Sequence, residues 1–191
     1  MSSLTIPERM DVFKEKGDLI SIILNHHDEV FANTECNVLH LKDELKEYAL
    51  LCSQFGVLPE FEVWHGGSIW NLNWLIQHNL IKRPYVTTLF FGWPGGTWSP
   101  ATIDEYLHRR TMITEGCVCT VSIMGPEQID IITAAILRGD HVRVGTEDYP
   151  FNRAGSIATA HELVMETANI ARAVGRPLAT VKEARKIVGL N

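Results

Sequence analysis

The sequence predicts an α/β protein whose parallel strands are covered by helices. Three observations carry this reading. Strand-like and helix-like runs alternate five times with little room between them, no linker or compositional break interrupts the order, and 46% of the 191 residues are hydrophobic, enough for a substantial core. Residues 1–191 therefore read as a single domain. Parallel α/β domains either close into an eight-stranded barrel, typically about 250 residues, or stay open and doubly wound. The strand runs alone do not choose between these, and on length the open, flavodoxin-like sheet is favoured.

A helix at 7–16 comes first. Residues 19–24 (LISIIL) form a β-branched run that stops at Asn25-His26-His27-Asp28, and residues 42–56 show helical apolar spacing ending on Gly56. Residues 59–64 (PEFEVW) alternate apolar and acidic positions before His65-Gly66-Gly67, after which Ser68 reads as the cap of a helix to about Leu80. The run YVTTLFF at 85–91 leads through GWPGGTWSP into a helix at 101–112. The run CVCTVSIM at 117–124, stopped by Gly125-Pro126, leads into a helix at 127–138. HVRVG at 141–145 precedes a loop and a helix at 159–174, and Thr180 with Glu183 forms a capping box for a closing helix at 180–188.

Composition excludes several classes. A net charge of −6 with no long Lys/Arg block argues against nucleic acid or a membrane surface as partner. Apolar stretches fall well short of the ~18–20 residues of a membrane helix, and the acid-bearing N-terminus does not resemble a secretory leader, so a cytoplasmic protein is expected. Cys36, Cys52, Cys117 and Cys119 have neither zinc-finger nor redox spacing and are expected to be reduced, with Cys117 and Cys119 on one face of a buried strand.

In either architecture chemistry sits beyond the carboxyl ends of the strands. The densest cluster there is HVRVGTED, at 141–148. Were it extended, Arg143, Gly145 and Glu147 would share a face. Glu147 could then ligate a divalent metal, while Arg143 could hold a substrate carboxylate or orient Asp148 as a base. The plainer alternative is an Arg143–carboxylate pair at a strand end, with the other acid solvated. His26, His27 and Asp28 have the composition of a two-His-one-carboxylate metal set, but adjacent histidines diverge, and capping or hydrogen bonding is the more ordinary use. His65 has the same ambiguity. The glycine-rich loop at 92–100 could hold an anion on free N–H groups, although it is neither a P-loop nor a dinucleotide fingerprint.

The segment GDHVRVGTED, the closing GRPLATVKEARKIVGL, and PEFEVW, LFFGWPGG and MGPEQ upstream resemble the β-keto acid cleavage enzymes over nearly the whole chain. The resemblance implies a (β/α)8 TIM barrel, of which this chain carries about five βα units from the C-terminal part. It also implies a zinc-dependent exchange between a β-keto acid and acetyl-CoA, giving acetoacetate and a new acyl-CoA. Residue by residue, Glu147 takes the place of a zinc ligand, Asp148 that of the catalytic base and Arg143 that of the arginine activating it. Residues 21–25 fall where the resemblance places substrate contacts, and Asn25, His26 and His65 are the candidate substrate-binding residues. The family's two other zinc ligands form a His-x-His pair, which this chain lacks; its adjacent histidines are His26 and His27. Expected partners are a β-keto acid, a CoA thioester and further copies of the chain in a homo-oligomer. The alternative is a non-catalytic, incomplete barrel that retains Arg143, Glu147 and Asp148 without the metal.

Overall fold

A computed structural model describes residues 5–15, 17–24, 26–31, 34–93 and 99–190, without the side chains of residues 6, 27–31 and 34–36. Helix α1 (Ile6–Asp11) runs into a 3-10 turn (Val12–Glu15) and strand β1 (Leu19–Ile23). A hairpin, β2 (His27–Phe31) and β3 (Thr34–Val38), precedes α2 (Lys42–Phe55). Then come β4 (Leu58–Val63), α3 (Gly66–Gln77), β5 (Tyr85–Phe91), α4 (Ile103–Met112), β6 (Cys117–Ile123), α5 (Gln128–Arg138), β7 (His141–Arg143), α6 (Ala160–Ala173) and α7 (Val181–Val188).

The main sheet has the order β1-β4-β5-β6-β7, every pair parallel. Its two faces differ in chemistry because residues alternate along each strand. Ile22, Phe61, Val63, Leu89, Phe91, Cys119, Val121 and Ile123 all join one apolar cluster. Helices close it from the same side, through Leu45, Tyr48 and Cys52 of α2, Ile69, Leu72 and Leu75 of α3, and Ile131, Ile132 and Ala135 of α5. Each fully buried Leu, Ile, Val or Phe among these contributes roughly 1.5–3 kcal/mol. The other face carries Ser21, Glu60, Glu62, Thr88, Thr120, Ser122 and Arg143.

This asymmetry overturns the length-based preference for an open doubly wound sheet and agrees with the incomplete (β/α)8 barrel that the resemblance implies. A doubly wound sheet reverses its strand order and buries both faces under helices. Here the order follows the chain without reversal, and the helix-packed core lies on one face, leaving a polar face toward what is the interior of a (β/α) barrel. Length is a poor guide because it counts residues without regard to which face the helices take.

Two local expectations also change. The β2–β3 hairpin, with Phe31 opposite Thr34, occupies residues read only as a polar stop after the first strand. The α3 cap is His65 and not Ser68: the His65 Nδ1 accepts from the Gly67 N–H at 3.0 Å, and glycines in the first turn let the helix begin three residues earlier. Gly56 closes α2 in the left-handed region at φ 70° and the Thr180/Glu183 box starts α7, as expected; α6 also starts on a capping box, Thr159 with Glu162. Gly92, immediately after β5, is required by space as well as by conformation. Its φ is +86°, and a Cβ there would lie 2.8 Å from the Met124 carbonyl oxygen.

Candidate active site at the carboxyl ends of the strands

Strand β7 is three residues long and stops at Arg143. Beyond it the Gly145 carbonyl accepts from the N–H groups of Asp148 (3.2 Å) and Tyr149 (3.1 Å), folding residues 145–149 into a turn. That turn replaces the extended segment expected from the sequence. It carries both acids back onto one guanidinium: Arg143 donates from Nε to Asp148 Oδ2 (3.1 Å), and from Nη2 to Asp148 Oδ1 (2.9 Å) and Glu147 Oε2 (2.7 Å). The two carboxylates are unlike in exposure. The Asp148 side chain is 1% exposed, Glu147 is 80% exposed, and Arg143 stands between at 35%.

A two-point, charge-assisted grip of this kind fixes the plane of the Asp148 carboxylate as well as its position. Burial pushes the Asp148 carboxyl above the usual aspartate range, and the Arg143 guanidinium offsets part of that rise. Burial works against the Arg143 charge, but Asp148 holds that guanidinium firmly cationic. The result is an ionised carboxylate that is more basic than a solvated aspartate and is held in one orientation. Ser122, fully buried and opposite Arg143 in the β6–β7 register, lies close enough to favour the ionised form.

The polar face extends the cluster across the sheet. The Phe90 ring centroid lies 5.4 Å from Arg143 Cζ, and Trp64 stacks on Phe90 at 4.0 Å with an interplanar angle of 21°. The Trp64 indole donates to Glu62 Oε2 at 3.1 Å. Next to it, Glu60 accepts from Ser21 (3.0 Å) and from Thr88. Burial, reinforced by the neighbouring Glu60 charge, pushes the Glu62 carboxyl up to about 7, while Ser21, Trp64 and Arg143 act in the opposite direction. Glu62, Trp64 and Phe90 were not among the residues proposed from sequence. The signal was the alternation in PEFEVW: acids at every second position of a strand otherwise expected to be buried on both faces mark a polar face.

The proposed substrate contacts divide differently. Asn25 lies outside the described residues. The His26 ring meets the Asn37 side-chain oxygen in the hairpin. Both nitrogens of His65 are engaged with backbone: Nδ1 accepts from Gly67, and Nε2 donates to the His26 carbonyl at 3.2 Å. His65 thus caps α3 and ties it to the residue that leads into β2. The anion-binding reading of the loop at 92–100 rests largely on residues 94–98, which are not described. Among the described residues, no group of three His, Cys, Asp or Glu is placed to hold a metal ion, and the expected ligand Glu147 is an exposed carboxylate paired with Arg143. The described residues do not compose a zinc site. No helix among them is long and apolar enough to cross a membrane.

A barrel-type α/β protein with an arginine-held carboxylate at its strand ends is the class that fold and site define. The chain matches the model of the beta-keto acid cleavage enzyme family over residues 2–190 and belongs to that family. It is 32% identical over 164 residues to the 3-keto-5-aminohexanoate cleavage enzyme of Fusobacterium nucleatum, covering 85% of this chain and 56% of that relative. It is 27% identical to the 3-dehydrocarnitine:acetyl-CoA trimethylamine transferase of Rhizobium meliloti, covering 74% of this chain and 47% of that protein. The chain thus spans about half the length of these relatives. Among solved structures, the ternary complex of ObcA with a C4-CoA adduct and oxalate superimposes with a TM-score of 0.70 at 19% identity, over 89% of this chain and 45% of that one.

Proposed function

We propose that this chain carries the acid–base half of a β-keto acid cleavage site, exchanging a β-keto acid with acetyl-CoA to give acetoacetate and a new acyl-CoA. The observation that carries this reading is the Arg143–Asp148 fork: a buried carboxylate, raised in basicity and oriented by a guanidinium, at the strand ends where such folds act. Family membership supports the reaction class, as do relatives named for acetyl-CoA transfer.

In this reading Asp148 takes the proton from the carbon between the two carbonyl groups, or returns it, through the oxygen lone pairs that Arg143 leaves unused. Arg143 stays cationic throughout, keeping the base fixed and opposing the negative charge that builds on the substrate. Glu62, with an affinity for protons near neutrality, is suited to hold or release a second proton on the same face. Zinc belongs to the proposal only through Glu147; further ligands would have to come from outside the described residues, and no step above depends on a metal.

The test incubates the purified chain with acetyl-CoA and a panel of 3-keto acids and follows CoA esters by mass spectrometry. Matched appearance of a new acyl-CoA and acetoacetate is expected. Metal-replete protein that exchanges nothing would favour the non-catalytic barrel. Self-association is also part of the proposal, since among the described residues β1 and β7 each pair on one side only.

A further inference from the structure

Arg109 of α4 is 1% exposed and lies in the protein core, a costly place for a guanidinium. Its contacts explain its location. Nη1 donates to the Val63 carbonyl at 3.1 Å, Nη2 donates to the Phe90 carbonyl at 2.5 Å, and Cζ sits 3.7 Å over the Phe91 ring. Glu105, one turn earlier, is 3.3 Å from Nε. A planar fork with several N–H groups spans two carbonyls on neighbouring strands in a fixed geometry, which an apolar side chain cannot do and an ammonium does less rigidly.

Both carbonyls sit at the carboxyl ends of their strands, next to the residues that face the candidate site. Val63 immediately precedes Trp64, whose indole donates to Glu62. Phe90 itself carries the ring that Trp64 stacks on and Arg143 overlies. We propose that Arg109 is a positioning residue: by tying the ends of β4 and β5 together from the helix side, it holds the Trp64–Phe90 stack between Glu62 and Arg143 on the opposite face. The proposal rests on reading that face as the reacting site, but its test reads geometry and not turnover.

The measurement is the titration of Glu62, followed by side-chain carboxyl 13C NMR, together with the Trp64 indole resonance. Trp64→Phe sets the scale: loss of the indole donor is expected to raise the Glu62 midpoint from its starting value near 7. Arg109→Met is expected to move that midpoint in the same direction by at least roughly half as much, and to shift the Trp64 indole signal, because the donor is no longer held in place. Tyr106→Phe is the control on the same helix. It removes a 2.7 Å bond to Asp140, so it is expected to lower the melting temperature and leave Glu62 unmoved. If Arg109→Met does not fold, Arg109→Lys takes its place, with a smaller displacement expected. A folded Arg109 variant that melts early, as Tyr106→Phe does, while Glu62 and the Trp64 indole stay at their parental positions, would overturn the proposal. Absence of thioester exchange would leave a positive titration standing.

Discussion

Asp148→Asn is expected to slow thioester exchange by at least ~10²-fold, the usual scale for loss of a general base, while the chain remains folded. The amide matches the carboxylate in shape and can still accept one N–H from Arg143, but it turns an NH₂ toward the other guanidinium nitrogen. The stability cost is therefore about 1–3 kcal/mol, that of one poorly matched buried group. Arg143→Met reaches the same functional end by a different route. It leaves the Asp148 carboxyl buried without its cation, so burial is opposed by Ser122 alone and the carboxyl's affinity for a proton rises further. A broken buried pair costs about 3–5 kcal/mol, and partial exposure of Arg143 brings the expected figure toward ~2–3 kcal/mol. That penalty should grow as pH rises above the range where free aspartate ionises, and it should be small in acid. Activity assays with urea unfolding at several pH values separate the two variants. Equal stability of Arg143→Met and the parent at neutral pH would count against a structural role for the fork.

Glu62→Gln is expected to make the protein more stable at pH 8 and leave it unchanged at pH 4. The folded carboxyl titrates at about 7, against 4.5 for the unperturbed group. Between those values the unfolded chain gives up its proton and the folded chain keeps it, so parental stability falls as pH rises through the window. The limiting slope is about 1.4 kcal/mol per pH unit. Partial solvent access reduces the total to about 1–2 kcal/mol by pH 8. Glutamine cannot ionise and removes the slope. The groups facing Glu62 are Glu60, Ser21, Trp64 and Arg143, and the shift is the balance of burial, first, and the Glu60 charge against the other three. Parallel stability–pH curves for parent and variant would show that Glu62 titrates as an ordinary surface acid.

The strand–helix alternation was legible because it is local. YVTTLFF occupies Tyr85–Phe91 as read, and the capping box at Thr180 places the closing helix. The choice between open sheet and barrel was not local. It depends on which face each helix covers, a fact that the alternation in PEFEVW hints at and length obscures. Arg143 and Asp148 were legible as types at a strand end, yet their geometry came from the turn at Gly145, which an extended reading of HVRVGTED replaces with a shared face. Arg109 was invisible because nothing in its helix distinguishes a core guanidinium from a surface one; its partners are carbonyls of β4 and β5, far away in sequence.

The central claim is that Asp148 is a base for the carbon between two carbonyl groups. Deuterium wash-in at that carbon of acetoacetate, followed by ¹H NMR in D₂O, tests it without requiring the full exchange. The purified chain should accelerate wash-in above the spontaneous rate, and Asp148→Asn should return it to that rate. Indistinguishable rates for the two proteins would contradict the claim.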